Sequence, residues 1–230
     1  MTAARILSEL DSLGTEQNRK VYAKHGAPEN CYGVSFANLE KLRKRIGKNH
    51  AVAQQLWFTG NFDACNLATM VAEPAAMTAS DLNPWMRVNH NATCDLFARN
   101  VVAKSAFAIE MLEEWATSAD EQVAAAAFAT LSVVAMENRT LPDEYFAAWL
   151  DRIESSIHSA QNRVRHSMNN AVIAIGGRSG GLQKSALAAA GRIGKVEVDH
   201  GDTACKTPDA AAYIRKTAAR AATKKKAAGR

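Results

Sequence analysis

Apolar residues recur along the chain at the three- and four-residue spacing of one helix face, and no run alternates like a half-buried strand. Ile6, Leu7, Leu10 and Leu13 place a first helix at about 3–13, stopped by Gly14. A second is predicted over about 15–25, with Val21 and Tyr22 turned inward. Pro28 and Gly33 punctuate the loop that follows. Ser35 then caps a helix in which Phe36, Leu39, Leu42 and Ile46 keep helical spacing. Further periodic segments lie at about 50–58, 61–72, 78–86, 89–101, 104–117, 119–137, 142–157, 160–175 and 180–192. Breaks fall at Gly60, at Glu73-Pro74, at Asn83-Pro84, from Asn138 to Pro142 and at Gly176-Gly177. Trp57, Trp85, Trp115 and Trp149 sit within these apolar patterns and read as core.

Helices of this length joined by short turns exclude a mixed α/β plan. The pitch of a helix pair, roughly 35–45 residues, is that of HEAT-type repeats. A single pair cannot cover its own apolar face, so it stacks on the next, and stacking creates a concave surface. The expected fold is therefore all-α, a HEAT-like helical repeat solenoid (an α-α superhelix) with a concave groove; a globular helical bundle or two small helical domains are the alternatives, and the absence of a linker before residue 177 favours the single array. Residues 1–193 form the repeat domain, 194–216 a polar loop and helix packing on it, and 217–230 a basic, flexible tail. The 194–216 segment opens on a short β-like run, passes through the turn Asp199-His200-Gly201-Asp202 and ends in a helix beginning near Pro208. Loops this dense in His, Asp, Thr, Cys and Lys tend to carry function.

Charge changes the picture when it is divided. The net charge is +5, but residues 1–205 hold 20 Lys and Arg against 22 Asp and Glu, a net of −2. Residues 206–230 hold eight Lys and Arg against Asp209, a net of +7. Lys206, Lys224, Lys225 and Lys226 therefore read either as part of a polyanion-binding arm or as a solvated end. No stretch approaches the roughly 20 apolar residues of a membrane span, and the N-terminus lacks the pattern of a signal peptide. A cytoplasmic protein with reduced, mostly core cysteines (Cys31, Cys65, Cys94, Cys205) is expected, with no membrane partner.

The segment YGVSFANLEKLRKRIGK, followed by QQLW at 54–57, resembles the entry helices of the DNA alkylation repair (AlkD-like) family of HEAT-like repeat alkylpurine DNA glycosylases. A Gly-Val turn there leads into a helix with a Leu-Arg pair, here Gly33-Val34 and Leu42-Arg43. NHNATCDLFARNVV, from 89 to 102, resembles that family's active-site helix. The resemblance implies removal of cationic N3- or N7-alkylpurines from duplex DNA held in the concave groove, without flipping the base into a pocket. A carboxylate beside the deoxyribose stabilises the oxocarbenium-like charge, two tryptophans pack on sugar and backbone, and an arginine grips the DNA. Asp95 falls at the carboxylate position. The tryptophan positions carry Asn91 and Asn170, and the arginine position falls within 124–126, all alanine.

Other polar residues share these helices. His90 and Cys94 are four apart, and His166, Asn169 and Asn170 lie on one side of a later helix. With the resemblance, these groups converge with Asp95, and the turn containing His200 and Asp202 folds into the same groove. The cluster reads as a DNA or polar-ligand site with Asp95 catalytic, or as a zinc site drawing on His90, Cys94, His166, His200, Asp202 and Cys205. The spacing matches no zinc-finger pattern, so no metal or other cofactor is assigned. Simpler roles compete: His90 or Asn91 as helix cap, Cys94 as a small core residue, and Asp95 as the partner of Arg99. DNA is the expected partner, and a non-catalytic scaffold holding a protein or nucleic acid is the alternative.

Overall fold

Helix starts in this chain are written in side chains. Thr2, Thr15, Ser35, Asn49, Asn61, Asp120 and Ser179 each accept a backbone N–H from the first turn that follows, satisfying donors that have no partner within the helix. The computed structural model describes residues 1–86 and 90–228, without the side chains of 221, 222 and 224–228. Among the described residues there are thirteen α-helices and no strand. Met1–Met111 with Gly201–Ala204 form one compact unit, and Leu112–His200 with Cys205–Arg230 a second.

The first unit contains α1 (Ala3–Leu13), α2 (Glu16–Lys24), α3 (Phe36–Ile46), α4 (His50–Trp57), α5 (Phe62–Val71), α6 (Ala79–Trp85) and α7 (Asn91–Asn100). Short 3-10 turns lie at Pro74–Ala76 and Val102–Lys104. Helix α5 is buried along nearly its whole length, with α1, α3, α4 and α7 packed against it. Trp57 stacks on Trp85 at 4.3 Å between ring centroids, and Phe97 tilts against each at 5.4 Å. A polar seam joins α5 to α7: the Thr93 hydroxyl donates to Asn66 Oδ1, and Asn100 Nδ2 donates to Thr69 Oγ1 at 3.1 Å.

Helix α8 (Ala108–Trp115) leads into the second unit, which holds α9 (Glu121–Glu137), α10 (Asp143–Ser156), α11 (Asn162–Gly176), α12 (Gly180–Ile193) and α13 (Ala210–Ala228). Helix α9 is buried on every side from Ala124 to Ala135, as a helix apolar at all but Thr130 and Ser132 in that stretch must be. Its alanines let α11 lie close along it. Helix α13 packs on α11 and α12 through Ile214, which is fully buried. Ile214 sits in a notch left by Gly176: a Cβ there would lie 2.9 Å from Ile214 Cδ1 and 3.1 Å from Ala186 Cβ.

Three expectations about the elements need correction. Val21 is 46% exposed and Phe36 45% exposed. Tyr22 does turn inward, half-buried, and with Asn18 and Arg19 it binds the 32–34 backbone, which sets the rotation of α2. Pro84 does not break the chain before a helix but lies inside α6, one residue from its end, where it removes one i→i−4 bond and the helix stops directly after it. Residues 194–209 form no strand; they run as an irregular connector tied to α11 by side chains, and the helix after them begins at Ala210.

Candidate functional site

The Gly33-Val34 turn is held from two sides. Gly33 has φ +80°, and a Cβ there would meet the Thr15 carbonyl at 2.5 Å, so only glycine fits. From α2, Asn18 Nδ2 donates to the Gly33 carbonyl at 3.0 Å, Arg19 to the Tyr32 carbonyl at 3.0 Å and the Tyr22 hydroxyl to the Val34 carbonyl at 2.8 Å. From α5, the fully buried Asp63 carboxylate accepts the backbone N–H groups of Tyr32, Gly33 and Val34 at 2.7, 3.0 and 2.9 Å. The Cys31 thiol also donates to it, at 3.4 Å. Burial and the neighbouring carboxylate push that thiol up to about 12. This turn is a structural clamp that sets the entry of α3.

Helix α7 carries Asp95 one turn from its start, half-buried. His90 is the N-cap of α7: its Nδ1 accepts the Thr93 N–H at 3.3 Å, and its ring packs on Phe62 at 4.8 Å. The ring is 5% exposed, and burial pulls its pKa down to about 4. His90 therefore faces the core of the first unit and not solvent, contrary to a role in contacting a ligand from a groove wall. Asn91 is the first residue of α7 and half-buried. Cys94 is buried core. Asn89, at the start of the matched segment, lies outside the described residues.

In the second unit, the polar side of α11 is committed to the connector. Asn162 exchanges two hydrogen bonds of 2.8 Å with the Asp199 backbone. Arg165 donates to the Glu197 carbonyl at 2.8 Å and the Ala160 carbonyl at 2.9 Å. Asn169, buried, donates to the Pro208 carbonyl at 3.0 Å. The His166 and His200 rings meet edge to face at 5.5 Å, and His200 Nε2 shares a 2.9 Å hydrogen bond with Thr207. Asn170 is half-buried on the same helix. A cleft of about 600 Å³ opens between α11 and the connector, lined by Arg165, Lys195, Glu197, His200, Cys205 and Lys206 among others.

The structure thus brings His166, Asn169, His200 and Lys206 to one region of the second unit, while His90, Asn91 and Asp95 belong to the first and Asp202 groups with it. Lys206 is exposed, and the Lys224, Lys225 and Lys226 side chains lie outside the described residues. Among the described residues, no three His, Cys, Asp or Glu side chains gather as a metal site would require. Cys65 and Cys94 are buried, Cys31 is half-buried and Cys205 is exposed, none of them in a disulfide among the described residues. The tryptophans are 2–3% exposed, and Ala124, Ala125 and Ala126 are 3%, 5% and 1% exposed.

Two organising residues escaped the sequence reading. Asp63 looks like an ordinary first-turn acid, and nothing in its neighbourhood announces the loop 30 residues earlier that it holds. Arg178 follows the Gly176-Gly177 break, with its side chain 6% exposed. It donates to the Ala135 carbonyl at 3.0 Å, the Leu141 carbonyl at 2.6 Å, the Asn138 carbonyl and the Asp143 carboxylate at 3.2 Å, and lies over the Phe146 ring at 4.2 Å. A cation directly after a glycine pair is its only signal.

Residues 6–225 match the model of a family described as DNA alkylation repair enzyme. The uncharacterized protein Lin0241 of Listeria innocua is 28% identical over 222 residues, covering 94% of this chain and 97% of its own length. Lmo0209 of Listeria monocytogenes shows the same identity and coverage. A solved structure described as a new family of proteins related to the HEAT-like repeat DNA glycosylases, with affinity for branched DNA structures, superposes with a TM-score of 0.88. It is 26% identical, and the match covers 96% of this chain and 95% of that one.

Proposed function

From the premise that this chain belongs to the DNA alkylation repair enzyme family, we propose that it binds DNA without excising bases and prefers branched over linear duplex. The observation that carries this reading is the burial of every tryptophan: none exceeds 3% exposure. An aromatic wall against the sugar of a lesion needs a ring free to meet DNA, and here Trp57 and Trp85 are stacked on each other. Asn91 and Asn170 stand at the two wall positions that the resemblance implies, and buried alanines stand where it implies a gripping arginine. The fold of the superposed protein with affinity for branched DNA supports the choice of DNA. Contact along the concave side that stacked HEAT-type pairs produce is part of the same proposal.

One observation favours a second reading in which excision persists: Asp95 is half-buried on α7 and keeps the carboxylate position of the resemblance. A cationic alkylpurine is already a good leaving group, and a fixed negative charge near the sugar lowers the barrier further. The two readings separate cleanly. The expected outcome is tighter binding of a four-way junction than of a linear duplex of equal length. Release of 7-methylguanine from alkylated duplex is expected to equal the protein-free control for both wild type and Asp95→Asn. Release that disappears in Asp95→Asn would replace the first reading with the second. No binding to either DNA at low salt would remove both.

A further inference from the structure

Helix α13 presents one stripe outward at i, i+3 and i+7: Tyr213, Lys216 and Arg220. Tyr213 is 44% exposed, and Lys216 and Arg220 are exposed. The next face inward carries Ile214, fully buried in the Gly176 notch. Several arginines elsewhere meet carboxylates: Arg19 with Glu16, Arg43 with Glu40, Arg45 with Glu9, Arg152 with Glu113 and Arg192 with Glu154. No ion pair engages Arg215, Lys216 or Arg220 among the described residues, and no acid occurs in the chain after Asp209. Lys216 and Arg220 are like charges at i, i+4, a spacing that weakens a helix standing alone. Such a stripe gains its complement only from an external polyanion.

We propose that the outward stripe of α13 is a nucleic-acid contact surface in which Lys216 and Arg220 follow backbone phosphates and Tyr213 stacks on a base face left open at a branch point. The inference rests on the DNA-binding reading above and deepens it. Residues four apart on a helix are separated by about 6 Å along its axis, close to the distance between neighbouring phosphates of one strand. Point charges of this kind serve any duplex. An aromatic ring needs an open base face, and a branch point offers one where an intact duplex does not. Tyr213 therefore contributes preference for branches and the cations contribute affinity. An anionic membrane is the less suitable surface, because the buried Ile214 leaves the outward stripe no large apolar residue besides Tyr213.

The test uses the full chain with a labelled four-way junction, a matched linear duplex and vesicles of phosphatidylglycerol and phosphatidylcholine. Lys216→Gln with Arg220→Gln is expected to leave the melting temperature unchanged and to reduce the salt exponent of junction binding by about 2. Tyr213→Ala is expected to cut the preference for junction over duplex at least several-fold, and Tyr213→Phe to retain it. If wild type binds the junction and the double variant keeps the same affinity and salt exponent, the stripe is not the contact, and the DNA-binding reading stands alone. Unchanged junction preference in Tyr213→Ala overturns the stacking role. Binding to vesicles but not DNA, lost in the double variant, overturns the proposal in favour of a membrane. Wild type that binds no DNA at low salt defeats this inference together with the reading beneath it.

Discussion

At the scale of single residues, His90 and Asp63 each do a structural task with an ionisable group. His90 is buried neutral, with a folded pKa of about 4 against 6.5 for a free imidazole. Between these values the unfolded chain binds a proton that the folded chain does not, so stability rises with pH across the window. Stability is lost as pH falls from 6.5 towards 4, by an amount on the order of 3 kcal/mol. Urea midpoints measured near pH 7.5 and pH 5 are expected to differ for this reason, and the difference should shrink by about half or more in His90→Asn, which keeps a cap. Asp63→Asn replaces two carboxylate acceptors with one and sets an amide N–H₂ against backbone donors. The expected loss is about 3 kcal/mol of unfolding free energy at neutral pH. At this scale helix caps were legible, since Ser35 acts through a bond to its own first turn. Asp63 was not, because its partners lie about thirty residues away and no local pattern records them.

At the scale of elements, helices with long apolar patterns could be read directly, and failures occurred where polar contacts set the rotation. Helix α2 is the clearest case. Its apolar residue Val21 faces outward because Asn18, Arg19 and Tyr22 are recruited to the Gly33-Val34 turn. Asn169, read from the sequence as part of a DNA or polar-ligand cluster on α11, holds the Pro208 carbonyl. That polar face reads equally as a ligand site or as a dock for a connector; only the position of residues 194–209 decides. Arg178 plays a similar part at the end of α9, where it gathers the carbonyls of the 135–141 segment near a negative helix terminus. Arg178→Ala is expected to cost about 3 kcal/mol in a denaturation experiment, because several carbonyls lose their donor at once. Arg178→Lys should recover only part of that loss, since an ammonium has no planar fork to spread among them.

At the scale of the whole molecule, the all-helical HEAT-like fold was written in the period of the apolar residues and the spacing of the breaks. Two small helical domains were only an alternative reading, and the boundary of the two compact units was not legible: it falls at 111–112, inside α8, where no composition shift marks it. Charge was also legible only as a sum over segments. Removing residues 206–230 turns a net charge of +5 into −2. The shortened chain is expected to pass from retention on a cation exchanger to retention on an anion exchanger at neutral pH. The seat of α13 also bears on how this protein changes over generations. Gly176 and Ile214 occupy one volume, so the two codons are not free to drift independently. A methyl group gained at 176 is tolerated best where 214 has already shortened to valine or alanine, and relatives that keep this helix should show the two positions changing together. A relative with alanine at 176 and isoleucine at 214 would have had to turn the isoleucine side chain aside or shift the helix, and with it the basic stripe.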